Sequence, residues 1–205
     1  MPPLDPPAVF KRRSTKAMIV AVFTALALAT NYALSGVYNV KVMDALVFIV
    51  AFLFGVRLGI GVGTSIWLVW GFVNPSGVDD LITFSFVVVG ESFYVLAGAI
   101  LRRTSIAQSL LQRGGSSFRQ LGLVFALVGL LSTFSYDVFT NFGSWLFLTS
   151  SSYEAFVRGN IIGAPFSVAH EASNTVFFAT VAPTIIVSIR RLGFGSFQEE
   201  GETET

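Results

Sequence analysis

Asp137 and Asn141 are one helical turn apart in the stretch Y-D-V-F-T-N-F-G-S-W (136–145). His170 and Asn174 repeat that spacing in G-A-P-F-S-V-A-H-E-A-S-N (163–174), with Glu171 alongside. Residues i and i+4 share one helix face, so each pair offers an ionisable group and an amide to the same neighbour. Glu91 stands alone in the middle of a long apolar run. If such runs cross a bilayer, these groups must face protein, water or a ligand, because hydrocarbon satisfies none of them. Two readings compete. The polar groups cap helices at the membrane surface, or they converge on a bound solute. Trp145 closes the first stretch, and Asn31, Tyr38, Trp70 and Asn74 lie at comparable depth in other segments, which favours the solute.

Catalysis has little to work with. There is no cysteine, which removes thiolate nucleophiles, disulfides and Cys-ligated metals. His170 is the one histidine, H-E-x-x-H is absent, and a metal needs more than one such ligand. No G-x-S-x-G or Walker motif occurs, and the glycines at 59, 61 and 63 follow no strand and never complete G-x-G-x-x-G. We therefore expect no enzyme activity, no metal and no cofactor. Glu91 and Asp137 could relay protons in a stand-alone proton-coupled secondary transporter, although no inverted repeat or paired broken helices support that mechanism. A non-transporting structural membrane subunit is the other alternative, since polar clusters also fix helix packing.

The elements that must position these residues are membrane spans. Hydrophobic residues make up 53% of the 205-residue chain and charged residues 12%, about half the ~25% charged content of a typical soluble domain. Several apolar runs approach or pass the ~18–20 residues that cross hydrocarbon. The pattern predicts an all-α integral membrane protein. A bundle of six transmembrane helices (17–191) would lie between an N-terminal tail (1–16) and an acidic, disordered C-terminal tail (192–205). Lys41 and Asp44 open helix two, and residues 108–117 read as a polar connection. Residues 143–163 read as a long loop with room for an interfacial helix, so that Pro165 falls in the first turn of helix six, where proline suits a helix start. Ala17, Ala21, Ala25 and Ala29 recur every fourth position in helix one. They make a smooth face for close helix approach, within this chain or from a partner. The basic start and A-L-A before Thr30 also fit a secretory signal, but the polar residues just past that point belong to the bundle.

Charge orients the bundle. With six spans, eleven of the thirteen Lys and Arg residues fall on the side of the termini, and only Lys41 and Arg158 on the other. The positive-inside rule then places both termini in the cytoplasm. Helices travelling outward end at Asn31, at Trp70 and Asn74, and at Asp137 and Asn141. The last helix starts outside with His170 and Asn174. Apolar walls with a few convergent polar groups describe a small-molecule pocket, here open outward. No basic block alternates with aromatics, so a nucleic acid partner has no support.

The six short helices, the alanine stripe and the glycine-rich turn before helix three resemble the substrate-binding S components of energy-coupling factor (ECF) transporters. The two stretches 136–145 and 163–174 are similar to the T-N-F-x-x-W and P-F segments of some S components. The resemblance implies the substrate-capture subunit of an ABC importer in the plasma membrane of a prokaryote, binding a small vitamin-like solute from outside. It implies partners, a transmembrane coupling subunit with two ABC ATPases that hydrolyse the ATP. It puts the coupling contact on Ala21-x-x-x-Ala25, extended by Ala17 and Ala29, and covers the solute with the loop 35–42. Under it Asn31, Asn74, Asn141 and Asn174 hydrogen-bond the solute, and Tyr38, Trp70 and Trp145 stack on a ring. Glu91, Asp137 or His170 then recognise charge.

Overall fold

The computed structural model describes residues 13–75, 77–113 and 117–192. Of the expected N-terminal tail (1–16), residues 1–12 lie outside the described residues and 13–16 form the start of a helix; of the expected acidic tail (192–205), residues 193–205 lie outside them. Among the described residues there are eight helices and no strand. They are α1 (Arg13–Ala33), α2 (Met43–Phe54), α3 (Val56–Trp70), α4 (Leu81–Gly90), α5 (Ser92–Arg103), α6 (Ser105–Arg113), α7 (Phe118–Trp145) and α8 (Ser152–Arg191).

The organising element is α2. A helix that is apolar all round must be buried all round, and every residue from Met43 to Leu53 is buried. Helices α1, α3, α5 and α8 pack around it. Gly55 ends it with φ 91, a backbone region open to glycine at no steric cost, and the chain reverses at once into α3. The most extensive helix pair is α7 with α8. They run antiparallel and so close that a Cβ at Gly159 would stand 2.3 Å from the Asn141 carbonyl oxygen.

Among the described residues four stretches are long and apolar enough to cross a membrane: Arg13–Ala33, Leu81–Arg103, Phe118–Trp145 and Ser152–Arg191. The second is α4 and α5 joined through Glu91, whose N–H donates to the Val87 carbonyl while its own carbonyl accepts from Val95. Helices α2 and α3 are apolar but have 12 and 15 residues. They rise only about 18 and 22 Å, short of the ~30 Å of hydrocarbon. The chain is thus an all-helical protein with membrane-spanning character, in which two short helices are carried by longer neighbours.

Two expected irregular stretches are helical. Of residues 108–117, read as a polar connection, 108–113 belong to α6 (Ser105–Arg113). Ala107 and Leu110 are buried, and the Ala107 N–H donates to Thr104 Oγ1 at 3.3 Å, an N-terminal capping bond. The long loop expected at 143–163 shrinks to 146–151. The Ser151 hydroxyl accepts from the Glu154 N–H at 3.2 Å, and this S-x-x-E signature starts α8 well before Pro165. Pro165 therefore lies inside a 40-residue helix rather than in its first turn. Basic residues gather at one end of the bundle, where Arg102 approaches Gly55 and Arg190 approaches Gln108. The polar site occupies the other end.

Candidate functional site

Four helices meet around one imidazole. Asp44 lies in the first turn of α2, Asp137 two turns from the end of α7, and His170 midway along α8. His170 Nε2 is 2.7 Å from Asp44 Oδ2, and Nδ1 is 2.8 Å from Asp137 Oδ1. One turn further along α8, the Asn174 amide donates to Asp44 Oδ2 at 2.8 Å and to Thr133 Oγ1 at 3.0 Å. The Tyr94 hydroxyl of α5 donates to Thr133 Oγ1 at 3.3 Å. The Tyr136 ring meets the imidazole edge-on at 5.7 Å. All of these residues are buried. A neutral imidazole carries one N–H, yet a carboxyl oxygen faces each ring nitrogen. The trio must therefore hold one more proton than a neutral ring with two carboxylates. The His170–Asn174 spacing thus puts both side chains on a single carboxyl oxygen.

Glu91 belongs to the next layer. It is buried at the α4–α5 junction, and its Oε1 accepts from Trp67 Nε1 at 2.8 Å. Gly63 leaves the space for it, since a Cβ there would stand 3.2 Å from the Glu91 Cβ. The bond fixes the Trp67 indole, and that indole helps line a cleft.

The cleft has a volume of about 280 Å³. It is built from the end of α1, the loop 34–42, the end of α3 and the loop that follows. Asn31, Tyr38, Lys41, Trp67, Trp70, Asn74 and Asp79 give it its chemistry. Trp70 is braced by Tyr32 at 5.0 Å between ring centroids, and the Tyr32 hydroxyl donates to the Val73 carbonyl. The Asn74 amide donates back to the Trp70 carbonyl at 2.8 Å, finishing α3. Loop 34–42 is pinned to α8. The Asn39 amide donates to the Phe166 carbonyl at 2.9 Å, from a left-handed backbone (φ 54) that asparagine tolerates. Tyr38 leans on the Phe166 ring at 4.8 Å. The Lys41 ammonium sits 5.3 Å from the Trp67 ring centroid, a cation–π contact. Asp79 is partly buried. Burial pushes its carboxyl above the usual aspartate range, against the pull of Lys41, and the neighbouring Asp80 adds to the rise.

The sequence-derived site residues divide three ways. Asn31, Tyr38, Trp70 and Asn74 line the cleft. Glu91, Asp137, His170 and Asn174 lie in the buried layers behind it. Asn141 and Trp145 are on the α7–α8 seam, where the Asn141 amide donates to Ser167 Oγ at 3.1 Å and Trp145 lies against Gly159. They do not line the cleft, because the segment expected as a loop is helix packed on them. Lys41, Asp44, Trp67 and Asp79 are the additions. Nothing in the local sequence marks Lys41 or Asp79 as cleft residues. Nothing local announces that Asp44 meets His170.

Ala17, Ala21, Ala25 and Ala29 are all exposed. The first three line a groove between α1 and α3 with Val20, Thr24 and Leu58. Among the described residues no cluster of His, Cys, Asp and Glu could hold a metal ion. No protein-family model matches the chain, and comparison with curated proteins and with solved structures gives no match.

Proposed function

We propose that this chain is the substrate-capture subunit of an ECF-type ABC importer, holding a small vitamin-like solute in the cleft between α1 and α3. One observation carries the reading. Asn31 and Tyr38 from the end of α1 and the loop after it, and Trp70 and Asn74 from the end of α3 about 40 residues on, line one cleft. Its size and mixed aromatic and amide lining suit a small molecule.

The positive-inside rule orients the bundle with both termini in the cytoplasm, so the cleft opens outward. Six spans follow when α2 and α3 are counted with the four long helices, and the setting is the plasma membrane of a prokaryote. The alanine face of α1 meets a transmembrane coupling subunit, as its exposure and the groove beside it allow. Two partner ATPases supply the energy, and this chain performs no chemistry. The test is mass spectrometry of gently purified protein under native conditions, where a small molecule is retained by the wild type and lost from Trp70→Ala.

The buried trio favours one second reading. Asp44, His170 and Asp137 share a proton next to Glu91, an arrangement suited to a stand-alone proton-coupled transporter. On that reading a pH gradient drives uptake into vesicles without any ATPase, and Glu91→Gln abolishes it.

A further inference from the structure

We propose that the cleft takes a small amphoteric solute, a ring-bearing molecule with one anionic and one cationic group. This rests on the capture reading above and narrows it. Lys41 and Asp79 line the same cleft from different loops, but no ion pair joins them. Among the described residues the ion pairs are Arg158–Glu154 and the two made by His170. The described contact of the Lys41 ammonium is the face of Trp67. The Asp79 backbone N–H donates to the Gly71 carbonyl, and its carboxylate accepts no described hydrogen bond.

A charge of each sign is thus held, partly desolvated and unpaired, on the walls of one small cavity. Both remain partly open to solvent, which a ligand group of opposite charge can replace. Lys41 is also within electrostatic reach of Asp44 and Glu91. It pairs directly with neither, and Trp67 links the layers by giving its face to Lys41 and its N–H to Glu91. The ammonium therefore stays available to an incoming carboxylate or phosphate.

A second observation lies at the wall of the same space. Asn31 is 2% exposed and lines the cleft, and its amide donates to Met43 Sδ while its carbonyl oxygen has no partner. A buried acceptor left over in this way calls for a donor, which an ammonium or ring N–H supplies. Trp70 and Tyr38 offer faces for the ring. The volume of about 280 Å³ lies just under the ~300–1,000 Å³ of sites for drug-sized ligands, so it admits one ring with short substituents. A zwitterionic phospholipid headgroup carries the same two charges, and the experiment separates the two sources.

The full chain in nanodiscs is titrated calorimetrically with four probes: L-phenylalanine, its N-acetyl derivative (anion only), its amide (cation only) and the N-acetyl amide (neither charge). Phenylalanine should bind at least about tenfold more tightly than each of the others, as expected when each end of the molecule makes one charge-assisted hydrogen bond. Lys41→Met should erase its advantage over the amide, and Asp79→Asn its advantage over the N-acetyl acid. Lys41→Arg should restore the first. Weaker phenylalanine binding in phosphatidylethanolamine than in phosphatidylglycerol nanodiscs would assign the cleft to the lipid headgroup and support the amphoteric chemistry. Equal binding in the two assigns it to a free solute. Equal affinity for the neutral probe, or variants that weaken all four probes alike, overturns the proposal. A co-purified solute carrying one kind of charge overturns it while leaving the capture reading standing. Protein that is empty and binds none of the four overturns both.

Discussion

The Asp44 carboxylate lies 2.7 Å from His170 Nε2 although 126 residues separate them in the chain. That contact joins the most buried helix, α2, to the longest one, α8, and Asp137 on the far side of the ring adds α7. The cleft is built above this clamp, so the clamp's integrity governs whether the cleft keeps its shape.

His170→Leu should destabilise the protein by roughly 3–5 kcal/mol, because it leaves two carboxyl groups buried without their partner. Replacing Asp44, Asp137 and His170 together by leucine should recover much of that loss, since an apolar trio leaves no unpaired charge. Reversible unfolding in detergent measures both. A triple variant no more stable than His170→Leu would count against the clamp.

Trp67→Phe keeps an aromatic ring and removes the N–H, leaving Glu91 Oε1 without its donor. We expect a loss of about 1–3 kcal/mol in stability, with weaker solute binding because the indole is no longer fixed. Adding Glu91→Gln to that variant should restore part of the stability. No response to the tryptophan change would detach Glu91 from the cleft.

Asn31→Ala and Trp70→Ala should weaken solute binding by more than about tenfold with the bundle intact. Asn141→Ala should instead lower the melting temperature and leave affinity within about twofold, as its amide joins α7 to Ser167 of α8. Paired binding and melting measurements separate the two classes of asparagine.

Solute binding should also fall as the medium is acidified. Burial raises the Asp79 carboxyl above the ordinary aspartate value, so it takes up its proton at higher pH than a solvated aspartate would. The anion that receives a cationic group is then lost as pH falls from neutral toward about 4. Calorimetry of phenylalanine binding across that range should show the decline, and Asp79→Asn should flatten it.

Ala21→Leu with Ala25→Leu should block co-purification with a coupling subunit and leave solute binding unchanged, since both alanines face outward on α1. Recovery of the intact complex from the doubly enlarged variant would place the partner elsewhere.

Much of the molecule is legible in its sequence, and the exceptions have physical reasons. The long apolar runs announce α1, α4 with α5, α7 and the latter part of α8, because hydrocarbon length leaves few other readings. The start of α8 is hidden by S-S-S-Y-E, which reads as a loop by composition and acts as a cap through Ser151 and Glu154. Helix α6 is hidden by its serines and glutamines, although Ala107 and Leu110 already mark a buried side. Asn31, Tyr38, Trp70 and Asn74 could be grouped in advance because amides beside aromatic residues at the ends of apolar segments stand out from the runs they close, and these four line one cleft. Lys41 and Asp79 could not, because a charged loop residue looks the same whether it faces bulk water or a cleft. Asn141 and Trp145 share the depth of the cleft residues but belong to a seam that only the folded α7–α8 pair reveals.

The most direct test is native mass spectrometry of the full chain released gently from its own membrane. A single small molecule should accompany the wild type and Asn141→Ala, and should be missing from Asn31→Ala and Trp70→Ala. Wild-type protein carrying no small molecule, or one retained equally by the Trp70→Ala variant, would contradict capture in this cleft.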